Sequence, residues 1–215
     1  MDNFELPSGY TRRVTPLLDP PRDKVQHQID AQWDVYQLAS EFEQGVVIDV
    51  GCGGATKTKN FFHDRDEVVL VDYPGMIDSI SWDAPNLRKI RVDLDRELMI
   101  PEVELESFVR KNALIICADV IEHLKDPRHL LRALAAMVLL NGNNLIMSTP
   151  DRSKLLEKGI GNPLGPPQCK RHAQEWTAEE FEKFMASEGL KGGDHYSLPA
   201  AKNSGDEFTQ CWVFG

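Results

Sequence analysis

The chain contains no C-x-x-C pair, and its four cysteines, Cys52, Cys117, Cys169 and Cys211, are scattered. This argues against a disulfide framework or a ribbon-type zinc site, so reduced thiols are expected and no metal centre is. Positive charge is in deficit: 24 Lys and Arg stand against 34 Asp and Glu, a formal net charge of −10. Phosphate-binding surfaces are built from clustered Lys and Arg, so no nucleic-acid partner is expected, and the short pairs Arg12-Arg13 and Lys170-Arg171 do not change that. No apolar run approaches the roughly 20 residues that span a bilayer, so no membrane partner is expected. The start Met1-Asp2-Asn3-Phe4-Glu5 lacks the basic and apolar regions of a signal peptide, which makes a cytoplasmic location the expectation. Internal repeats and low-complexity segments are missing too. What is there suits one sizeable core, with 215 residues, 41% hydrophobic and 27% charged.

Residues 1–23, with Pro7, Pro16, Pro20 and Pro21, read as an irregular arm, and residues 24–215 as a single domain. From Asp23 to Gln44 the apolar Val25, Ile29, Trp33, Tyr36 and Ala39 recur at helical spacing, with Gly45 placed as a C-cap. Five apolar runs then read as strands: Val46–Val50, Glu67–Asp72, Arg88–Leu94, Leu114–Ala118 and Asn144–Ser148. Between the last two, Asp126-Pro127 opens a helix with the stripe Leu130, Leu134, Val138. Residues 151–171 are rich in Gly and Pro and read as a long loop, part of a substrate loop over 151–176. Thr177-Ala178-Glu179-Glu180 is a capping box opening a helix with Phe181, Phe184 and Met185 inward and Gly189 at its end. Glu207–Phe214 reads as a last, antiparallel edge strand. The fold class is therefore α/β, a doubly wound, mostly parallel sheet.

Val46-Val47-Ile48-Asp49-Val50 running into Gly51-Cys52-Gly53-Gly54-Ala55-Thr56-Lys57 is a buried strand followed by a glycine-rich turn, a pattern that lets backbone approach a nucleoside ligand. Ligands of open α/β sheets lie beyond the carboxyl ends of the strands, and Asp49, Asp72, Asp93 and Asp119 all fall at or near such ends. Asp72 follows Gly51 at about the spacing of a ribose-binding acid. Thr56 replaces the third glycine of a dinucleotide fingerprint, and Asp49 would repel a pyrophosphate. An acid there suits a cationic ligand; S-adenosylmethionine carries an ammonium and a sulfonium and no phosphate. Each Asp could equally be a helix cap or turn residue. Cys52 reads as a small residue chosen for fit.

Asp49-x-Gly51-x-Gly53 resembles the D-x-G-x-G motif of class I S-adenosylmethionine-dependent methyltransferases, with Ala55 where that family usually has another glycine. Ala118 to Pro127, which includes Glu122-His123, and Ser148-Thr149-Pro150-Asp151-Arg152 are similar to segments of the ubiquinone-type O-methyltransferases. Gly165-Pro166-Pro167 through His172 to Thr177 resembles bacterial methyltransferases found with glycosyltransferases. The resemblance implies a Rossmann-like methyltransferase fold. It implies that Asp49, reaching the ammonium directly or through water, and the backbone of Gly51, Cys52 and Gly53 hold the methionine part. It further implies that Asp72 takes both ribose hydroxyls, Tyr73 lies against the adenine, Asp93 and Leu94 meet its edge and face, and Asp119 lines the methyl-transfer side. Lys57 is open between the cofactor carboxylate and solvent.

Methyl transfer from sulfur rests chiefly on positioning, worth roughly 7 to 11 kcal/mol, so a base has a purpose chiefly when the acceptor is a hydroxyl. His123 and His172 are the candidate bases because imidazole titrates near neutrality. The expected activity is transfer of methyl from S-adenosylmethionine to a small acceptor, most simply a hydroxyl of a sugar or related metabolite, with a homodimer open as the assembly. The alternatives are a methyltransferase of phenolic quinone precursors and a catalytically silent binding module.

Overall fold

The computed structural model describes residues 4–17, 31–95, 112–202 and 205–215. Five strands, β1 (Val46–Val50), β2 (Glu67–Asp72), β3 (Leu87–Arg91), β4 (Leu114–Ala118) and β5 (Asn144–Pro150), are joined by β6 (Asp194–Leu198) and β7 (Thr209–Phe214) in the order β3-β2-β1-β4-β5-β7-β6. The first five run parallel; β7 is antiparallel to β5, and β6 to β7. Strand order reverses direction between β1 and β4, so the crevice beyond their carboxyl ends is where such a sheet receives a ligand.

The central strands are apolar on both faces because helices cover both. Alternate residues of one strand point to opposite sides. Ile48, Val50, Val69, Val71 and Ile115 pack with Leu130, Leu134 and Phe181 of α4 (Arg128–Asn141) and α6 (Ala178–Ser187). Val47, Val68, Leu70, Leu114 and Ile116 pack on the other side with Tyr36, Phe62 and Ile77 of α1 (Trp33–Ser40), α2 (Thr56–Phe62) and α3 (Pro74–Ser79). α6 opens on the expected capping box of Thr177 and Glu180. Among the described residues, no helix is long and apolar enough to cross a membrane.

Several boundaries differ from the sequence expectation. α1 ends at Ser40 with Glu41 as its C-cap, so Gly45 stands just before β1 instead of closing the helix; residues 23–30 of the expected helix lie outside the described residues, as do 1–3 and 18–22 of the arm. β3 stops at Arg91, which leaves Asp93 beyond it. The tail strand β7 lies inside the sheet and β6 forms the edge. β6 escaped notice because Asp194 to Ser197 are all exposed and carry no alternation. The loop expected over 151–171 begins with a short helix, α5 (Arg152–Glu157), capped by the Asp151 side chain accepting from Ser153 N at 2.8 Å. α4 has Pro127 at its N-cap, and Asp126 accepts from Arg128 N at 3.3 Å.

Candidate functional site

The turn after β1 is set by backbone requirements. Gly51 has φ +75°, and its N–H donates to Val71 O at 2.7 Å. A Cβ there would lie 2.3 Å from Val120 Cγ2. Gly53 also has positive φ, +54°, and a Cβ on it would meet nothing within 4 Å, so the space over this peptide is open. Ala55 stands at the N-cap of α2 with φ +54°, a left-handed backbone that disfavours any Cβ by about 1 to 2 kcal/mol. That strain accounts for the glycine usual at this position in the family the sequence resembles. Cys52 is buried, and burial followed by the charges of Asp49 and Asp72 pushes its thiol well above the usual range, as befits a packing residue.

Asp49 is brought to the turn but not to its surface. It is fully buried, accepts from Tyr36 OH at 3.1 Å through both oxygens, and accepts a further short bond from Thr58 Oγ1. Burial raises its pKa to about 6 against the pull of Thr58, Tyr36 and Lys57. Its partners come from α1 and α2, so the carboxylate ties both helices under the turn. A folded-state pKa above the ordinary 3.8 means that the folded chain binds the extra proton. This contribution to stability is complete at low pH and is lost as pH climbs from about 4 through about 6. Asp49→Asn should therefore gain on the parent chain over that window, by up to about 3 kcal/mol, and plateau above it. Denaturant titrations at both ends of the window measure the gain; parallel profiles for the two chains would refute it.

Asp72 closes β2 with its carboxylate against the turn, accepting from Gly53 N at 2.8 Å and Tyr73 N at 2.7 Å. Tyr73, half-buried, leads into α3 beside it. Lys57 lies 5.5 Å over the Tyr36 ring; burial lowers its pKa against the pull of Asp49 and Asp119. Asp119, just past β4, has φ +52° and accepts from Ser148 Oγ at 2.7 Å and Gln32 Nε2 at 3.0 Å. Asp93 is exposed and accepts from Asp95 N at 3.1 Å, while Leu94 is sunk in the core cluster with Val92 and Val120.

A second group forms past Asp119, where Ile121–His123 makes a 3-10 turn. The His123 and His172 rings meet edge-on, centroids 5.0 Å apart. His123 Nδ1 lies 3.2 Å from Arg171 O, and His172 Nδ1 lies 2.7 Å from Glu175 Oε1. Glu122 is fully buried; Thr149 Oγ1 donates to its Oε2 at 2.9 Å, and burial with the charge of Asp119 raises it to about 8. Burial alone would lower His172, but hydrogen bonds to Cys169 and Glu175 and the charge of Glu122 outweigh it and raise the ring to about 10. Burial likewise raises the Cys169 thiol, yet His172 brings it down to about 7. At neutral pH His172 thus holds its proton and acts as a donor. Glu122, Cys169, Glu175, Gln32 and Ser148 were given no site role from the sequence; Glu122, Glu175 and Ser148 had a signal there, lying inside the matched motifs, and Cys169 and Gln32 had none.

The arm fastens this group. Tyr10 OH accepts from Glu175 N at 3.0 Å, Thr11 N donates to Leu164 O at 2.7 Å, and Arg13 N to Ala173 O at 2.7 Å. Ala173 N in turn donates to Glu122 O at 2.7 Å, which joins the loop bearing His172 to the 3-10 turn bearing His123.

The chain has counterparts among known proteins. Residues 22–192 match a family model described as a methyltransferase domain. The mitochondrial ubiquinone biosynthesis O-methyltransferase of Schizosaccharomyces pombe is 25% identical over 128 residues, covering 60% of this chain and 46% of that protein. The match thus spans less than half the length of that curated relative. Among solved structures, the methyltransferase domain of bacterial CtHen1 superposes with a TM-score of 0.60 at 18% identity, over 84% of this chain and 94% of that one. A SAM-dependent methyltransferase from Aquifex aeolicus does so with 0.58 at 13% identity, over 89% and 93%.

Proposed function

The chain belongs to the methyltransferase-domain family, of the class I S-adenosylmethionine-dependent kind, and on that premise we propose that it methylates a hydroxyl of a small acceptor, a sugar or related metabolite. The observation that carries this reading is the cluster of Glu122, His123 and His172 next to Asp119, at the carboxyl end of β4. A hydroxyl needs its proton removed, and this is where the chain gathers groups able to take or hold one.

The turn suits the cofactor: Gly53 presents open backbone, and Asp72 presents a carboxylate, a group able to accept several hydrogen bonds at once, next to Gly53 N and Tyr73 N. Asp72 would hold the ribose, with Tyr73 beside the adenine. Gly51, Cys52 and Gly53 would face the methionine part with Lys57 toward its carboxylate, and Asp93 and Leu94 would bound the adenine side. Asp49, sealed beneath the turn, would act by positioning it. When bound, S-adenosylmethionine would supply a methyl carbon on a sulfonium whose departure returns the C–S pair to sulfur, and the acceptor's O–H proton would pass to the Glu122, His123 and His172 group or to water. Asp119, pinned by Ser148 and Gln32, would line the transfer side.

His123→Ala and His172→Ala should keep cofactor affinity and lower turnover by about 10² to 10⁴-fold. Calorimetry with S-adenosylmethionine and its demethylated product, followed by radiolabelled methyl transfer to glycoside and catechol acceptors, tests both parts. No cofactor binding at millimolar ligand would refute the donor, and a variant with full turnover removes that histidine from the chemistry.

A phenolic acceptor is the second reading. Val14, Leu17 and Leu164 are exposed apolar side chains on the arm and on the loop that leads to His172, where an apolar ring could rest. The S. pombe relative carries an O-methyltransferase name from ubiquinone biosynthesis. Preference for catechols over glycosides in the radiolabel assay would select this reading.

A further inference from the structure

We propose that Glu122, His123 and His172 form a binding site for a divalent transition-metal cation of the zinc class, one that would also hold the acceptor hydroxyl. This rests on the O-methyl-transfer reading above and specifies how that hydroxyl is activated.

One ligand-type atom from each of the three residues lies within 4.8 Å of the others. Glu122 is the anchor. Its side chain is 1% exposed; Oε2 accepts from Thr149, while the buried Oε1 accepts no hydrogen bond and lies 3.8 Å from His123 Nε2. A buried carboxyl oxygen without a hydrogen-bond partner is destabilising, and a cation would complete it.

The histidines are held as metal ligands usually are. His123 Nδ1 faces the carbonyl of Arg171, and His172 Nδ1 faces the carboxylate of Glu175. Both partners only accept, so both Nδ1 atoms carry hydrogen and Nε2 is the atom each ring can turn to a cation; on His172 the cation takes the place of the Nε2 proton. Bonds of about 2.0 to 2.1 Å at tetrahedral angles put donors about 3.3 Å apart, so side-chain rotation suffices to close the set.

Two imidazoles and one carboxylate suit zinc, cobalt or manganese better than magnesium, and the Cys169 thiol, hydrogen-bonded to His172, adds a soft donor at the margin. Asp119 contributes negative charge beside Glu122. Three protein donors leave a position for the acceptor oxygen. On the cation the acceptor O–H releases its proton to water at lower pH, and the oxygen keeps the bonding pair.

The full chain, stripped with EDTA and dialysed, is titrated with zinc chloride and separately with manganese chloride by calorimetry, without methyl donor. One site is expected, about 10- to 100-fold weaker in Glu122→Gln and His123→Ala and unchanged in His63→Ala. Thermal melts check that each variant is folded, and the half-exposed His123 provides the reading if Glu122→Gln is not. Absence of binding at millimolar metal, or parent-like affinity in both site variants, overturns the proposal. Undiminished methyl transfer after EDTA, with no site by calorimetry, overturns the cation and spares the O-methyl reading. A single site without methylation of any hydroxyl supports the cation and sinks that reading.

Discussion

Asp72→Ala is expected to bind S-adenosylmethionine about 5- to 150-fold more weakly, a loss of about 1 to 3 kcal/mol. The carboxylate does two things at once. It accepts from Gly53 N at 2.8 Å and Tyr73 N at 2.7 Å, which clamps the glycine turn to the end of β2. A carboxylate can accept more than two hydrogen bonds, so the same group suits ribose hydroxyls. Alanine removes both roles; Asp72→Asn keeps one oxygen and should fall between. Calorimetry gives the affinities, and melts without ligand separate the loosened turn from the lost ligand contact. Parent-like affinity in Asp72→Ala would move the ribose contact to another residue.

Gly51→Ala is expected to lose stability by about 2 to 5 kcal/mol, combining about 1 to 2 from a left-handed backbone with about 1 to 3 from overpacking. The φ of +75° disfavours any side chain, and the new Cβ would lie 2.3, 3.0 and 3.2 Å from Cγ2, Cγ1 and Cβ of Val120. No rotation of Val120 escapes, because its own Cβ is among the close atoms. Gly51→Ala with Val120→Ala should recover part of the packing loss and none of the backbone loss. Denaturant midpoints measure both. A single variant within about 0.5 kcal/mol of the parent would show that the turn relaxes.

Both effects arise where sequence reading was strongest. Runs such as Val46–Val50 and Leu114–Ala118 appear in the structure with the expected limits because a central parallel strand is apolar on both faces and few other elements are. Asp49 shows the boundary of that approach. Its motif spacing is legible, but its burial beneath Tyr36 and Thr58 depends on α1 and α2 crossing the end of β1. Leu94 is likewise legible only by position; that it packs with Val92 and Val120 is decided by the tertiary structure.

The sequence by itself determined the sheet class, the glycine turn and its companion acid Asp72, because hydrophobic period and backbone tolerance are local properties. Tertiary structure alone decided which side chains meet. It joins Glu122 and His123 to His172 and Glu175 through an arm and a loop held by backbone hydrogen bonds, contacts between distant segments that local pattern does not encode. It also decided the sheet edge, where the exposed polar strand β6 pairs only because β7 offers it a hydrogen-bonding partner.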